Sequence, residues 1–166
     1  MKHKFCLLYT WFVRTFLILL PDQPLIMRFR GWCYSQVMPQ CGRDFQVSAS
    51  TLLRNLENIS VGNHVYLAPN VIINAIAMVK LGNEVMVGFN SVIVSGNHTR
   101  IEMSYRFGKS KVNDILIGSG TWVAANCTVI AGAIIGDGCL VAANSAISGD
   151  CSSHGIYAGV PARKIK

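Results

Sequence analysis

The chain has 166 residues, enough for one domain with a modest core; 51% of them are hydrophobic and only 14% charged. So few charges cannot coat so apolar a monomer, so burial between subunits is expected. The net charge of +7 is spread over small clusters, Arg28/Arg30, Arg106/Lys109/Lys111 and Arg163/Lys164/Lys166; with no arginine-rich run or RNA-binding aromatic pattern, no nucleic acid is expected as partner, and an anionic small ligand or membrane surface fits better.

Residues 1–40 read as an apolar helical segment. From Phe5 to Leu20 the run FCLLYTWFVRTFLILL is almost wholly apolar, yet short for a membrane span and interrupted by Arg14. Pro21-Asp22-Gln23-Pro24 ends it with no small-residue cleavage site. Two readings lead, a helix lying on a membrane surface or one packed on a neighbouring subunit, with a true span or signal anchor as the third. A second short helix follows over 25–37, with Arg28 and Arg30 outward, and Pro39 closes it.

From Cys41 helical periodicity gives way to a six-residue beat. Its aliphatic positions are Val47, Leu53, Val61, Leu67, Ile73, Leu81, Val87, Ile93, Ile117, Val123, Val129, Ile135, Val141 and Ile147. They fall in threes separated by six, with steps of eight from Leu53 to Val61 and from Ile73 to Leu81. Three one-beat strands closed by a corner make a triangular coil, and stacked coils bury the aliphatic positions in one column. Small or β-branched residues four places on (Thr51, Val65, Val71, Ser91, Thr121, Cys127, Ala133, Ser145) suit the corners, and Asn63, Asn70, Asn83, Asn90, Asn126 and Asn144 suit left-handed turns. Cys127, Cys139 and Cys151 fall in the same small-residue register, which reads them as buried hydrophobes in a reducing compartment rather than as metal ligands.

The beat stops once. Between Ile93 and Ile117 a hidden coil would bury Thr99, Tyr105 and Lys111, which is untenable, so residues 98–114 leave the solenoid as a loop with His98 at its root. A loop of this length in an economical solenoid signals function, and an imidazole at a rigid edge suits general-base work near neutral pH.

The repeated beat over 41–152 resembles the hexapeptide-repeat acyltransferases. The likeness extends through Asn97-His98, the basic stretch Ile101 to Arg106, the run Ile117-Gly-Ser-Gly-Thr-Trp-Val-Ala-Ala-Asn and the tail Ala158-Gly-Val-Pro-Ala-Arg-Lys-Ile-Lys. It is nearest to the CoA-dependent sugar O-acetyltransferases of surface-polysaccharide biosynthesis. The resemblance implies an all-β fold, a left-handed parallel β-helix of about five coils, with a short N-terminal helical segment, a protruding loop after the third complete coil, and a C-terminal turn and basic tail over 153–166. It implies a homotrimer with sites between subunits and acetyl-CoA as co-substrate, with no metal expected. His98 would be the general base. Trp122 would either pack between subunits or line the pantetheine channel. Ala143 and Ser148 would flank the pantetheine, and Arg163 and Lys166 would meet the nucleotide phosphates. On the acceptor side stand Asn74, Asn97, Arg100 and Arg106. Ala125 and the turn Gly149 to His154 depart from the family pattern at the finer CoA contacts.

The expected function is therefore O-acetylation of a sugar or glycan hydroxyl, of capsule, exopolysaccharide or O-antigen type, by direct transfer without an acyl-enzyme. The expected location is the cytoplasm, with the inner face of the membrane as one contact. Transfer to a streptogramin- or chloramphenicol-type xenobiotic, or a non-catalytic assembly role, are the alternatives. A β-helical zinc hydrase would need three converging histidines, and only His64 and His98 lie in the coil region.

Overall fold

A computed structural model describes residues 2–166. Two helices, α1 (Lys2–Leu17) and α2 (Pro24–Ser35), precede a parallel β-solenoid. Its strands stack into three faces. Face A holds Gln40–Cys41, Ile59–Val61, Val79–Leu81, Ile115–Ile117, Ile134–Ile135 and Asp150–Cys151. Face B holds Gln46–Val47, Tyr66–Leu67, Met86–Val87, Trp122–Val123, Leu140–Val141 and Ile156–Gly159, and the antiparallel strand Ala162–Lys164 closes its end. Face C holds Leu52–Arg54, Ile72–Asn74, Val92–Val94, Thr128–Ile130 and Ala146–Ile147. This is the expected left-handed parallel β-helix, but it has six coils and not about five.

The extra coil comes from the two ends of the column. Cys41 pairs in register with Val61, and Tyr157 with Val141, so a thiol and a ring take positions where the beat predicts an aliphatic side chain. Between them all fourteen aliphatic positions are buried to 2% exposure or less. Each such side chain is worth roughly 1.5–3 kcal/mol relative to an exposed one, so the column is the main source of stability.

The corners explain the rest of the beat. Thr51, Val65, Val71, Ser91, Thr121, Cys127, Ala133 and Ser145 are buried as the chain turns over them. Asn70, Asn90, Asn126 and Asn144 adopt positive φ between faces B and C, as expected. At the A–B corner the expectation for Asn63 and Asn83 fails: the left-handed residues are His64 and Glu84, one place later. The side chains of Asn63 and Asn83 are spent on a ladder instead. Asn63 Oδ1 accepts from the Arg43 N–H at 3.0 Å, and Asn83 Oδ1 from the Asn63 N–H at 2.8 Å. Ser119 Oγ accepts from Asn83, Asp137 Oδ1 from Ser119 and Ser153 Oγ from Asp137 in turn. Cys127 and Cys139 follow the small-residue reading, whereas Cys151 pairs with Ile135 and enters the column, because the corner after Ile147 is two residues short.

The helices cap the first coil. α1 packs on Leu52–Arg54 and the turn Leu56–Asn58, and α2 on Gln46–Val47. Gly31 lets α2 come this close, since a Cβ there would lie 1.9 Å from the Phe45 carbonyl oxygen. Arg28 is exposed and donates from Nε to Asp44. Arg30 is not outward but 1% exposed. Its guanidinium donates to Asp22 Oδ1 at 3.1 Å and to the carbonyls of Val47, Leu17 and Leu20, tying α1, the interhelical turn and the first coil together. Among the described residues no helix is long and apolar enough to cross a membrane.

Candidate active site

The break in the beat is an antiparallel hairpin. Gly96–His98 runs out from the C–A edge of the third coil and Ser110–Val112 runs back, pairing Gly96 with Val112, Asn97 with Lys111 and His98 with Ser110. The coil that follows stacks directly on the third, Ile115–Ile117 against Val79–Leu81, so the column continues uninterrupted beneath it. The two roots are pinned to one corner. The Ser95 hydroxyl donates to the Ala77 carbonyl and accepts from the Ala77 N–H, both at 2.9 Å. Asp114 Oδ1 accepts from the Met78 N–H at 3.0 Å.

Opposed residues of an antiparallel pair share a face, so His98 projects with Ser110 and Asn97 projects on the other side with Lys111. The two members of the Asn97-His98 pair therefore cannot address one substrate from the same direction. His98 is exposed, and among the described residues its imidazole has no hydrogen-bond partner. At the tip, Ile101 bridges Ser104 and Arg100 Nε donates to the Glu102 carbonyl at 2.7 Å. The Arg106 guanidinium lies 5.7 Å from the centre of the Phe107 ring, and both arginines are exposed. Asn74 sits under the root at the same edge; its carbonyl accepts from the Ser95 N–H at 3.2 Å, and its Oδ1 from Asn55 Nδ2 at 3.4 Å.

The remaining residues divide between two places. Ser148 and Arg163 line an open cavity of about 670 Å³ at the C-terminal end of the solenoid. It begins at the C–A corner of the fifth coil, the edge from which the hairpin emerges two coils earlier. Lys164 and Asp150 also line it, and the sequence reading assigned neither to the site. The only signal for Lys164 was the basic tail itself, and its Nζ reaches Ser152 Oγ at 3.3 Å. Cys151 borders the same cavity, and burial pushes its thiol up to about 11, leaving it protonated and a poor nucleophile. Lys166 is exposed just beyond, its carbonyl accepting from the Ile156 N–H at 3.0 Å.

Trp122 lies elsewhere, on face B, half exposed between Met86 and Leu140 of the adjoining coils. With Tyr66, Ala68, Phe89 and Ala125 it borders an apolar cavity of about 170 Å³. Ala143 is exposed on the B–C corner of the same side. In a triangular prism face B lies opposite the C–A edge. One protomer therefore holds Trp122 and Ala143 apart from His98, Ser148 and Arg163.

Comparison with known proteins supports the reading of the coils. Residues 114–149 match the family model for bacterial transferase hexapeptide repeats (six repeats). An Escherichia coli protein named for lipopolysaccharide biosynthesis O-acetyl transfer is 29% identical over 119 residues, which are 66% of this chain and 58% of that one. A Lysinibacillus sphaericus protein named as a macrolide acetyltransferase is 43% identical over 53 residues, 32% of this chain and 29% of that one. This chain therefore spans less than two thirds of the length of these relatives. The fold is that of a hexapeptide-repeat acetyltransferase of Vibrio cholerae solved with acetyl coenzyme A, with a TM-score of 0.86 at 20% identity, covering 98% of this chain and 87% of that one.

Proposed function

We propose that this chain, whose coils have the fold of the hexapeptide-repeat acetyltransferases and whose residues 114–149 match the repeat model, is an acetyl-CoA-dependent O-acetyltransferase acting on a hydroxyl of a sugar or glycan. The observation that carries this is the hairpin: the single departure from a continuous six-coil column presents an exposed imidazole on the same edge as a cavity lined by Ser148, Arg163 and Lys164. The Escherichia coli relative supplies the acceptor class and the Vibrio structure the acyl donor.

In this reading the neutral His98 ring takes the proton of the acceptor hydroxyl as its oxygen attacks the thioester carbonyl. The tetrahedral intermediate then collapses, the C–S bond breaks, and the imidazolium returns its proton to the leaving thiolate. The products are the acetyl ester and CoA-SH, with no covalent enzyme intermediate. Arg163, Lys164 and Lys166 offer positive charge for the donor's phosphates. Trp122 and Ala143 of a neighbouring protomer cover the thioester end, which makes the working unit a homotrimer with three shared sites. Asn74, Arg100 and Arg106 face the acceptor, the arginines favouring one that carries a carboxylate.

The test is thiol release from acetyl-CoA by wild type and H98A with sugar acceptors, uronic and sialic acids included, and with a macrolide as the competing class. A fall of about 10²- to 10⁴-fold in kcat for H98A, with acetyl-CoA binding retained, is expected. Equal turnover would remove His98 as base. Turnover with the macrolide alone would replace the glycan reading with a xenobiotic one.

A further inference from the structure

The outward side of α1 is the apolar one. Cys6, Thr10 and Val13 face the body of the protein. The opposite stripe, Phe5, Leu8, Trp11, Phe12 and Phe16, keeps to one side of the helix and its members are 45–70% exposed, with Leu19 just past the helix end 89% exposed. Aromatic rings dominate it and touch one another: Phe12 stacks on Phe16 and meets Trp11 edge-on. On α2, Phe29 stacks on Trp32, which is 60% exposed. A soluble helix normally turns such residues inward.

Charge around the cap has one sign. Residues 1–40 hold five Lys or Arg against a single acid, Asp22, and Asp22 is consumed by Arg30, Ser48 and the Ala49 N–H. The nearest other acids are paired as well, Asp44 with Arg28 and His64, and Glu57 with His3. Lys4 is exposed at the start of the stripe.

We propose that α1 lies flat in the interface of an anionic phospholipid membrane, with its aromatic stripe among the acyl chains and Lys4 at the headgroups. Sixteen residues make a helix about 24 Å long, short of the roughly 30 Å hydrocarbon core, so it rests on the bilayer and does not cross it. A second copy of this chain fits the stripe less well. Two caps repel each other, since with Arg30 paired to Asp22 and Arg28 to Asp44 each still keeps Lys4 and Arg14 without an acid, and the solenoid offers copies a different apolar surface on face B, where Met86 and Trp122 are half exposed. The inference stands whether or not His98 is a base.

The full chain is floated with vesicles of phosphatidylcholine alone and with roughly one third phosphatidylglycerol. Binding at least tenfold stronger to the anionic vesicles, with tryptophan fluorescence quenched by brominated acyl chains, is expected. The F12S/F16S double variant should lose most of that binding at unchanged circular dichroism. K4Q, which disturbs no packing, should weaken it about fivefold, the worth of one cation at an anionic surface. No flotation at low salt, or flotation unchanged in both variants, overturns the proposal. So does a wild type that ignores vesicles but loses subunits when Phe12 and Phe16 are replaced, which would assign the stripe to a second copy.

Discussion

Gly108→Ala separates the hairpin's geometry from the solenoid's stability. A Cβ at Gly108 would lie 1.8 Å from the Thr99 carbonyl oxygen and 2.7 Å from its carbon, both backbone atoms. Reaching the 3.0 Å that real Cβ contacts keep requires one strand to move by about 1.2 Å. Thr99 is the residue after His98, and its hydroxyl donates to the Lys109 carbonyl at 2.5 Å, so the displacement is delivered next to the proposed base. Misplacing a reacting group by about 1 Å costs on the order of 10²-fold in rate. The hairpin contributes nothing to the buried column, so the melting temperature should stay within about 2 °C of wild type, as for a surface change. G108A should therefore show kcat reduced about 10²-fold, unchanged acetyl-CoA binding and an unchanged melt, with turnover followed by CoA thiol release. Full activity in a folded G108A would refute positioning of the base by the hairpin. A large drop in melting temperature would refute the independence of hairpin and column.

Three further outcomes follow from the structure. R163A should raise KM for acetyl-CoA about tenfold with kcat nearly unchanged, the signature of a lost phosphate contact, and steady-state kinetics in the donor checks it. R30A strips the donors from three carbonyls and takes the cation from the partly exposed Asp22; leaving buried acceptors unpaired costs about 1–3 kcal/mol, so calorimetry should show a melt roughly 5 °C lower. The hydrogen bond from His64, joined by those from Arg28 and Gln46, holds the Asp44 carboxyl below its ordinary 3.8 against an opposing push from burial. Its folded value is depressed, so its stabilisation is present above pH 3.8 and lost as pH falls through the folded value. Wild type should melt above D44N near neutrality, and the gap should close in acid below pH 3.8.

The column was legible because its chemistry repeats: an aliphatic residue every sixth place, buried every time, has one simple geometric solution. It became unreadable where the residue type changed. Cys41 and Tyr157 fill column positions with side chains that the beat does not predict, and a corner two residues short after Ile147 moved Cys151 inward. Arg30 was misread because an arginine inside a helix reads as solvent-facing, and only the tertiary arrangement shows the carbonyls of Leu17, Leu20 and Val47 converging on it. The excursion around His98 was found by the failure of Thr99, Tyr105 and Lys111 as core residues. That it closes as a paired hairpin was not visible, since Gly96–His98 and Ser110–Val112 carry no alternation that marks two strands. The division of the proposed site residues between the C–A edge and face B was equally hidden, because a repeat shows which positions are equivalent and not which face meets a neighbour.

The pinning of Ser95 to Ala77 and of Asp114 to Met78 gives the protein a socket. Both ends of the hairpin plug into one corner of the coil below, and the following strand stacks on Val79–Leu81 whatever lies between. The closing cost of such an insert grows only with the logarithm of its length, by about 0.6 kcal/mol per doubling. Descendants of this chain can thus lengthen, shorten or re-letter the stretch between His98 and Ser110. The column that holds the molecule together need not change for any of it.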